Sequence, residues 1–319
     1  MMKSRILFMG TPDFARVQLE ALLGAGADVV GVVTQPDKPR GRKMILTPPP
    51  VKECALAHDI PVFQPKTLRG DEFAALLESI APELIVVAAF GKILPQNVLD
   101  YPKLGSICVH GSLLPKYRGA APMQRAIIDG ERETGITIMY MDAGIDTGDM
   151  ISKVTVPIEL FDDFETVHDK MAEAGAKLLL ETIGQIEAGT APREKQDDLK
   201  STYAAKIEAE DCILDFDDTA EHVHNRIRGL SPIPLAVVSH NDRALKIIRA
   251  ELADTIKEHQ NPGEVLKCDS AANRIEVACR VGSIAITNLL PEGKSRMRAA
   301  DYINGRKIAA GDRLRKYSK

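Results

Sequence analysis

Residues 5–14 read Arg5-Ile6-Leu7-Phe8-Met9-Gly10-Thr11-Pro12-Asp13-Phe14. An apolar run, a tight turn and then apolar residues at helical spacing describe a strand feeding a helix, with Pro12 pre-setting the helix start. The unit recurs along the chain. Runs at 28–33, 84–89 and 106–110 are rich in Val, Ile and Leu on both faces, as parallel strands covered by helices must be. Segments 13–23, 71–80 and 120–128 read as helices between them, and 135–141 and 150–156 as further strands. Residues 163–187 read as one long amphipathic helix. The expected fold is therefore α/β, a Rossmann-like, mostly parallel sheet with helices on both faces. The first turn lacks G-x-G-x-x-G, and Pro12 removes an N–H that a pyrophosphate would use. A nicotinamide-linked oxidoreductase is accordingly disfavoured.

The texture changes past Gly189. Residues 190–205 are polar, charged and without periodicity, and read as a linker between a first domain at 1–189 and a second at 206–319. The second part opens with a helix near 219–230 and continues as short strands at 235–239, 244–250, 263–267, 274–278 and 283–290, the pattern of a small OB-like β-barrel.

A chain of 319 residues with 45% hydrophobic and 27% charged residues can bury its own cores, which excludes disordered and fibrous classes. No run resembles a membrane span or a cleavable leader, so a cytoplasmic location is expected. Five scattered cysteines, Cys54, Cys108, Cys212, Cys268 and Cys279, have no paired spacing, so neither disulfides nor structural zinc are expected. Net charge is −4, yet residues 34–52 carry five bases against Asp37, and 294–319 carry nine against Asp301 and Asp312. Two basic patches on an acidic chain point to a polyanionic partner at those places.

The chemistry concentrates in two stretches. GSICVHGSLLPKYRGAAP, residues 105–122, puts His110 at the carboxyl end of a parallel strand, where open α/β sheets bind ligands, ahead of a Gly/Ser/Pro loop. An imidazole there suits general acid–base work or support of an oxyanion, although on position alone a loop-capping histidine is the more ordinary explanation. TGITIMYMDAGIDTGDM, residues 134–150, holds Asp142, Asp146 and Asp149 in one glycine-rich turn. The acids lack EF-hand spacing and are either turn formers or, for one of them, a partner for His110.

These two stretches, with FMGTPDFA at 8–15, TQPDKPRGRK at 34–43 and FGKILP at 90–95, resemble the 10-formyltetrahydrofolate-dependent formyltransferase family, in the branch that acts on methionyl-tRNA. The resemblance implies formyl transfer from 10-formyltetrahydrofolate to the free amine of methionyl-initiator tRNA, for translation initiation, by a monomer that needs no metal. It implies that His110 stabilises the oxyanion and that Asp146 orients His110 and helps move the proton. The family's Asn two residues before the histidine is Cys108 here, a poorer hydrogen-bond donor on the same strand face. Either the thiol or a water it holds substitutes, or a neighbouring amide compensates, or the rate is low. Donor contacts are implied at Ser112, Leu113, Leu114 and Pro115, with Phe90 and Gly91 walling the pterin. Arg40, Arg42 and Lys43 are implied to meet the acceptor arm. A related enzyme formylating a small amine, and a non-catalytic folate or tRNA binder, are the alternatives.

Overall fold

The computed structural model describes residues 3–41 and 44–318. In chain order it forms β1 (Arg5–Gly10), α1 (Asp13–Gly24), β2 (Asp28–Val33), a hairpin of β3 (Lys38–Arg40) and β4 (Ile45–Thr47), α2 (Pro50–Ala57) and β5 (Val62–Phe63). There follow α3 (Asp71–Ile80), β6 (Leu84–Ala88), α4 (Gln96–Leu99), β7 (Ser106–His110), β8 (Arg118–Gly119), α5 (Pro122–Ile128), β9 (Glu133–Tyr140), β10 (Met150–Pro157), α6 (Phe164–Glu187) and β11 (Tyr203–Ala204). The remainder holds α7 (Ala220–Gly229), β12 (Ala236–His240), β13 (Arg243–Glu258), β14 (Val265–Asp269), β15 (Arg274–Ala278), β16 (Val281–Pro291), β17 (Met297–Arg298), α8 (Ala299–Asn304) and β18 (Arg315–Lys316). Two compact units divide the chain, one of Met1–Ala120, Thr134–Val156 and His168–Ala204, the other of Ala121–Glu133, Pro157–Val167 and Ala205–Lys319.

The first unit is built on a seven-stranded sheet in the order β10-β9-β7-β6-β1-β2-β5. Strands β1, β2, β5, β6 and β7 run parallel and β9 returns antiparallel to β7. Register sorts the side chains onto two faces. Leu7, Met9, Val33, Ile85 and Val87 pack with Phe73, Leu77 and Ile80 of α3 and with Val98 and Leu99 of α4. The alternate residues face the other way, where α6 lies with Gly175 against Ile136 of β9 and α1 joins it through Gln18 Nε2, which donates to the Ala172 carbonyl at 2.9 Å. Helices thus cover both faces. Chain order reverses between β1 and β6, so their carboxyl ends and that of β7 form the edge at which such sheets bind ligands.

The polar run expected to be a linker is laid against this unit. Glu194 bridges to Met150, β11 pairs parallel with β8, and the Tyr117 N–H donates to Thr202 Oγ1 at 2.8 Å. Local composition carries no sign of this, because the segment is held by polar contacts with residues distant in sequence.

The second unit is a curled antiparallel sheet, β14-β15-β16-β13-β12-β18 with β17 beside β16, forming an OB-like half-barrel whose core includes Leu214, Val223, Ile227, Val238, Ile247, Ile275, Ile284 and Leu289. Strand β13 runs to Glu258, well past the expected 250. Its far half is solvent-exposed and its register with β16 shifts four times, so no apolar alternation announces it. Among the described residues no helix is long and apolar enough to cross a membrane, and no group of His, Cys, Asp or Glu is placed to hold a metal. All five cysteines are free.

Candidate active site

Strand β7 delivers Cys108 and His110 to one face of the sheet, two residues apart. His110 is only 6% exposed. Its Nε2 lies 2.9 Å from the Tyr117 carbonyl, which can only accept, so the ring donates there and Nδ1 is the atom at which a proton comes and goes. Nδ1 faces Asp146 Oδ2 at 3.5 Å.

The turn after β9 separates its three acids by role. Asp142 closes the turn, its Oδ1 accepting from the Gly144 N–H at 3.0 Å and the Thr147 hydroxyl at 2.7 Å. Asp149 lies 3.7 Å from the Arg193 guanidinium, which also stacks over the Tyr140 ring. Only Asp146 turns inward, with φ of +56°, and its Oδ2 accepts the Gly119 N–H at 2.8 Å. A non-glycine residue held in the left-handed region is strained, and such positions persist where surrounding contacts over-determine them. Two glycines permit the close approach. A Cβ at Gly148 would stand 1.8 Å from the Tyr140 carbonyl oxygen, and one at Gly119, where φ is +114°, 2.8 Å from that of Ala204.

Cys108 packs against Leu114, Met139 and Met150. Burial, with the Asp146 carboxylate adding to it, pushes the Cys108 thiol far above its ordinary value, so the sulfur stays protonated. It is a weak donor and no nucleophile.

The residues expected to meet a donor contribute mostly main chain at this edge. Ser112 is fully buried and its hydroxyl donates to the Lys116 carbonyl at 2.6 Å, while Leu114 is buried and its N–H donates to Thr137 Oγ1 at 3.0 Å. Leu113 lies over Gly135, and Pro115 is half-buried. The Phe90 ring belongs to the core, and its carbonyl accepts from Gln35 Nε2 at 3.1 Å. Gly91 is exposed, with φ of +77° and open space around it.

The basic segment 34–52 is a hairpin with an anchored base. Lys52 Nζ reaches both Asp37 oxygens at 2.9 and 2.8 Å and Gln64 Oε1 at 3.0 Å, and this holds the Asp37 carboxyl below the usual range. The two therefore neutralise each other, and Lys38, Arg40, Arg42 and Lys43 remain as the surplus of the segment. Arg40 ends β3, Arg42 and Lys43 lie outside the described residues, and Met44, Ile45 and Leu46 are exposed.

Residues that sequence reasoning passed over complete the site. Gln196 Nε2 donates to the carbonyls of Asp146 and Gly148, both at 2.8 Å, and its Oε1 accepts from Arg118 Nε at 3.0 Å. Arg118, itself buried, is tied to Asp198 at 2.7 Å. Nothing in the polar texture of 190–205 distinguishes Gln196 or Asp198.

A sheet-end imidazole paired with a carboxylate carried on a second loop is equipped to move protons and to hold charge. Residues 2–183 match the Formyl transferase model and 206–307 the model of the formyl transferase C-terminal domain, and the chain belongs to that family. Over 313 residues it is 48% identical to the methionyl-tRNA formyltransferase of Bacillus subtilis, covering 98% of both chains. It is 48% identical over 314 residues to the methionyl-tRNA formyltransferase of Pelobacter propionicus, covering 98% of this chain and 97% of that one. Among solved structures, the N-formyltransferase from Helicobacter canadensis, in complex with folinic acid and dTDP-3-aminofucose, shares the fold with a TM-score of 0.65 at 21% identity, over 89% of this chain and 99% of that one.

Proposed function

We propose that this protein transfers the formyl group of 10-formyltetrahydrofolate to the α-amino group of methionyl-initiator tRNA, acting as a monomer in the cytoplasm. The observation that carries the reading is the Asp146 carboxylate 3.5 Å from His110 Nδ1 at the ligand-binding edge of the sheet, in a chain so similar along its length to proteins of that name.

The amine attacks as the free base, an affordable state because an α-amino group titrates near pH 8. Its nitrogen bonds to the formyl carbon, and the bond from that carbon to the donor nitrogen breaks. Along the way the amine loses a proton and the leaving nitrogen gains one. Asp146 Oδ2 is engaged by Gly119 and faces His110, while Oδ1 has no hydrogen-bond donor among the described residues and supplies the lone pair that takes the amine proton. His110 Nδ1 stands where that proton can be shared, and its ring brings positive charge toward the developing oxyanion. Cys108 offers a thiol at the position of the family Asn, and because it stays protonated the formyl group passes directly, with no thioester.

The donor supplies an activated one-carbon unit on a nitrogen leaving group. The residues here suit it: main chain that is exposed at Gly91, with open space around it, and at 142–145 offers peptide groups of the kind a pterin ring pairs with. Ser112, Leu113, Leu114, Pro115 and Phe90 would shape that edge from behind. Arg40, Arg42 and Lys43, with the exposed bases of the C-terminal tail such as Lys294, Arg296, Arg306 and Lys307, would meet the tRNA backbone.

The test is single-turnover formylation with 10-formyltetrahydrofolate and, in parallel, initiator methionyl-tRNA, glycinamide ribonucleotide and an amino sugar nucleotide. Formyl-methionyl-tRNA as the sole product is expected. Formylation of a small amine alone would reassign the acceptor, and no transfer at all would leave a binding protein. Sedimentation at assay concentration checks the monomer.

A further inference from the structure

We infer that Gln196 is a positioning residue which keeps the Asp146 carboxylate at His110. This rests on the formyl-transfer reading above and adds to it a group from the polar run between the two family-matched segments. Asp146 sits at φ +56°, a left-handed conformation that costs a non-glycine residue some energy, less for aspartate than for most, and that surrounding contacts help to hold. Within the turn, Asp142 Oδ1 accepts from Gly144 and Thr147 and the Tyr140 N–H donates to the Asp149 carbonyl, but none of these bonds is made by Asp146 itself. The enforcing contacts come from Gln196, whose single Nε2 donates to the carbonyl of Asp146 itself and to that of Gly148 two residues on, each at 2.8 Å.

The orientation of that amide is fixed by chemistry. Arg118 Nε can only donate, so it requires Oε1 on its side, and the two carbonyls can only accept, so they require the NH2 on theirs. A flipped amide would oppose like groups at all three contacts. Arg118 is in turn held by Asp198 at 2.7 Å, and the next residue, Gly119, supplies the N–H that Asp146 Oδ2 accepts at 2.8 Å. Gln196 therefore grips the main chain of Asp146, while its partner Arg118 adjoins the amide that grips the side chain. Without the two donated bonds the turn is free to relax toward ordinary φ, which swings the carboxylate away from Nδ1.

Two variants test this. Gln196→Met keeps the volume and loses every hydrogen bond, whereas Gln196→Glu keeps an acceptor for Arg118 and replaces the donation to the carbonyls with a carboxylate oxygen that repels them. Both are expected to lower kcat about 10- to 100-fold, as a displacement near 1 Å of a reacting group does, with KM for folate and for tRNA within about twofold. If Gln196 acts through Asp146 alone, neither variant lowers kcat further in an Asp146→Asn background. Hydrogen exchange at the Gly119 amide, which needs no turnover, is expected to quicken in both. Wild-type kcat in Gln196→Glu, an undiminished effect in the Asp146→Asn background, or unchanged Gly119 exchange would each overturn the inference. A wild-type protein that formylates nothing would defeat the functional reading instead, and Gly119 exchange would still decide whether Gln196 holds the loop. Should Gln196→Met fail to fold, Gln196→Glu carries the same comparisons.

Discussion

Asp146→Asn isolates the charge of the proposed carboxylate from everything else it does. Asparagine tolerates a positive φ at least as well as aspartate, so the strained backbone at +56° is undisturbed. Its carbonyl oxygen still accepts the Gly119 N–H, exchanging a charge-assisted bond for a neutral one at a cost of about 1 kcal/mol. Because that same oxygen is the one 3.5 Å from His110 Nδ1, the NH2 takes the place of Oδ1. The amide cannot, however, take a proton from the attacking amine. A missing acid–base group costs about 10²- to 10⁴-fold in rate, or about 2.7 to 5.5 kcal/mol at 1.36 kcal/mol per decade. The expected outcome is a kcat lower by that factor in single-turnover formylation, with KM for both substrates within about twofold and a melting midpoint within about 4 °C of the parent. A variant that keeps more than half of kcat refutes the proton-transfer role. One that loses tRNA binding at full kcat shows that the residue serves the acceptor.

Cys108→Asn restores an amide donor beside His110 and is expected to raise kcat, by at most about 10²- to 10³-fold, while lowering stability by about 1 to 3 kcal/mol because the amide enters an apolar contact with Leu114, Met139 and Met150. Rate assays and urea melts check both, and an unchanged rate would mean that another donor already fills the place. Gly119→Ala forces a Cβ into φ +114° and to 2.8 Å from the Ala204 oxygen, so a loss of at least about 2 kcal/mol is expected together with a fall in kcat as the Asp146 contact is disturbed. Parental stability in Gly119→Ala would refute that geometry. His224 is buried in the second unit, and burial, with Arg228 nearby, lowers its pKa from 6.5 to about 4. Since the unfolded chain binds the proton first, stability is whole above pH 6.5 and falls toward pH 4, by up to about 1.4 kcal/mol per unit. His224→Leu should flatten that part of the pH–stability curve, and an unaltered slope would show that other groups set it.

Much of the scaffold was legible because its signals are local. Apolar runs at 5–9, 28–33, 84–89 and 106–110 became β1, β2, β6 and β7 to within a residue, since a strand buried on both faces must be apolar throughout. His110 was legible for the same reason, as the residue that ends such a strand. The hairpin at β3 and β4 and the short β5 were not separated in advance, being too short to carry a period.

What local signals cannot hold is the choice among chemically equal residues. Three aspartates share one turn in the sequence, and only folding sends Asp146 to His110, Asp142 to the turn and Asp149 to Arg193. Only packing shows that the Phe90 ring lies in the core, and Lys52 counted as a surplus charge until Asp37 was found 2.8 Å away. Gln196 shows the limit most sharply, since its partners lie 48, 50 and 78 positions off. Periodicity records which way a side chain faces within its own element, because burial acts on each residue separately. Hydrogen bonds between loops depend on both ends meeting in space, and that meeting exists only once the sheet has brought the loops to one edge.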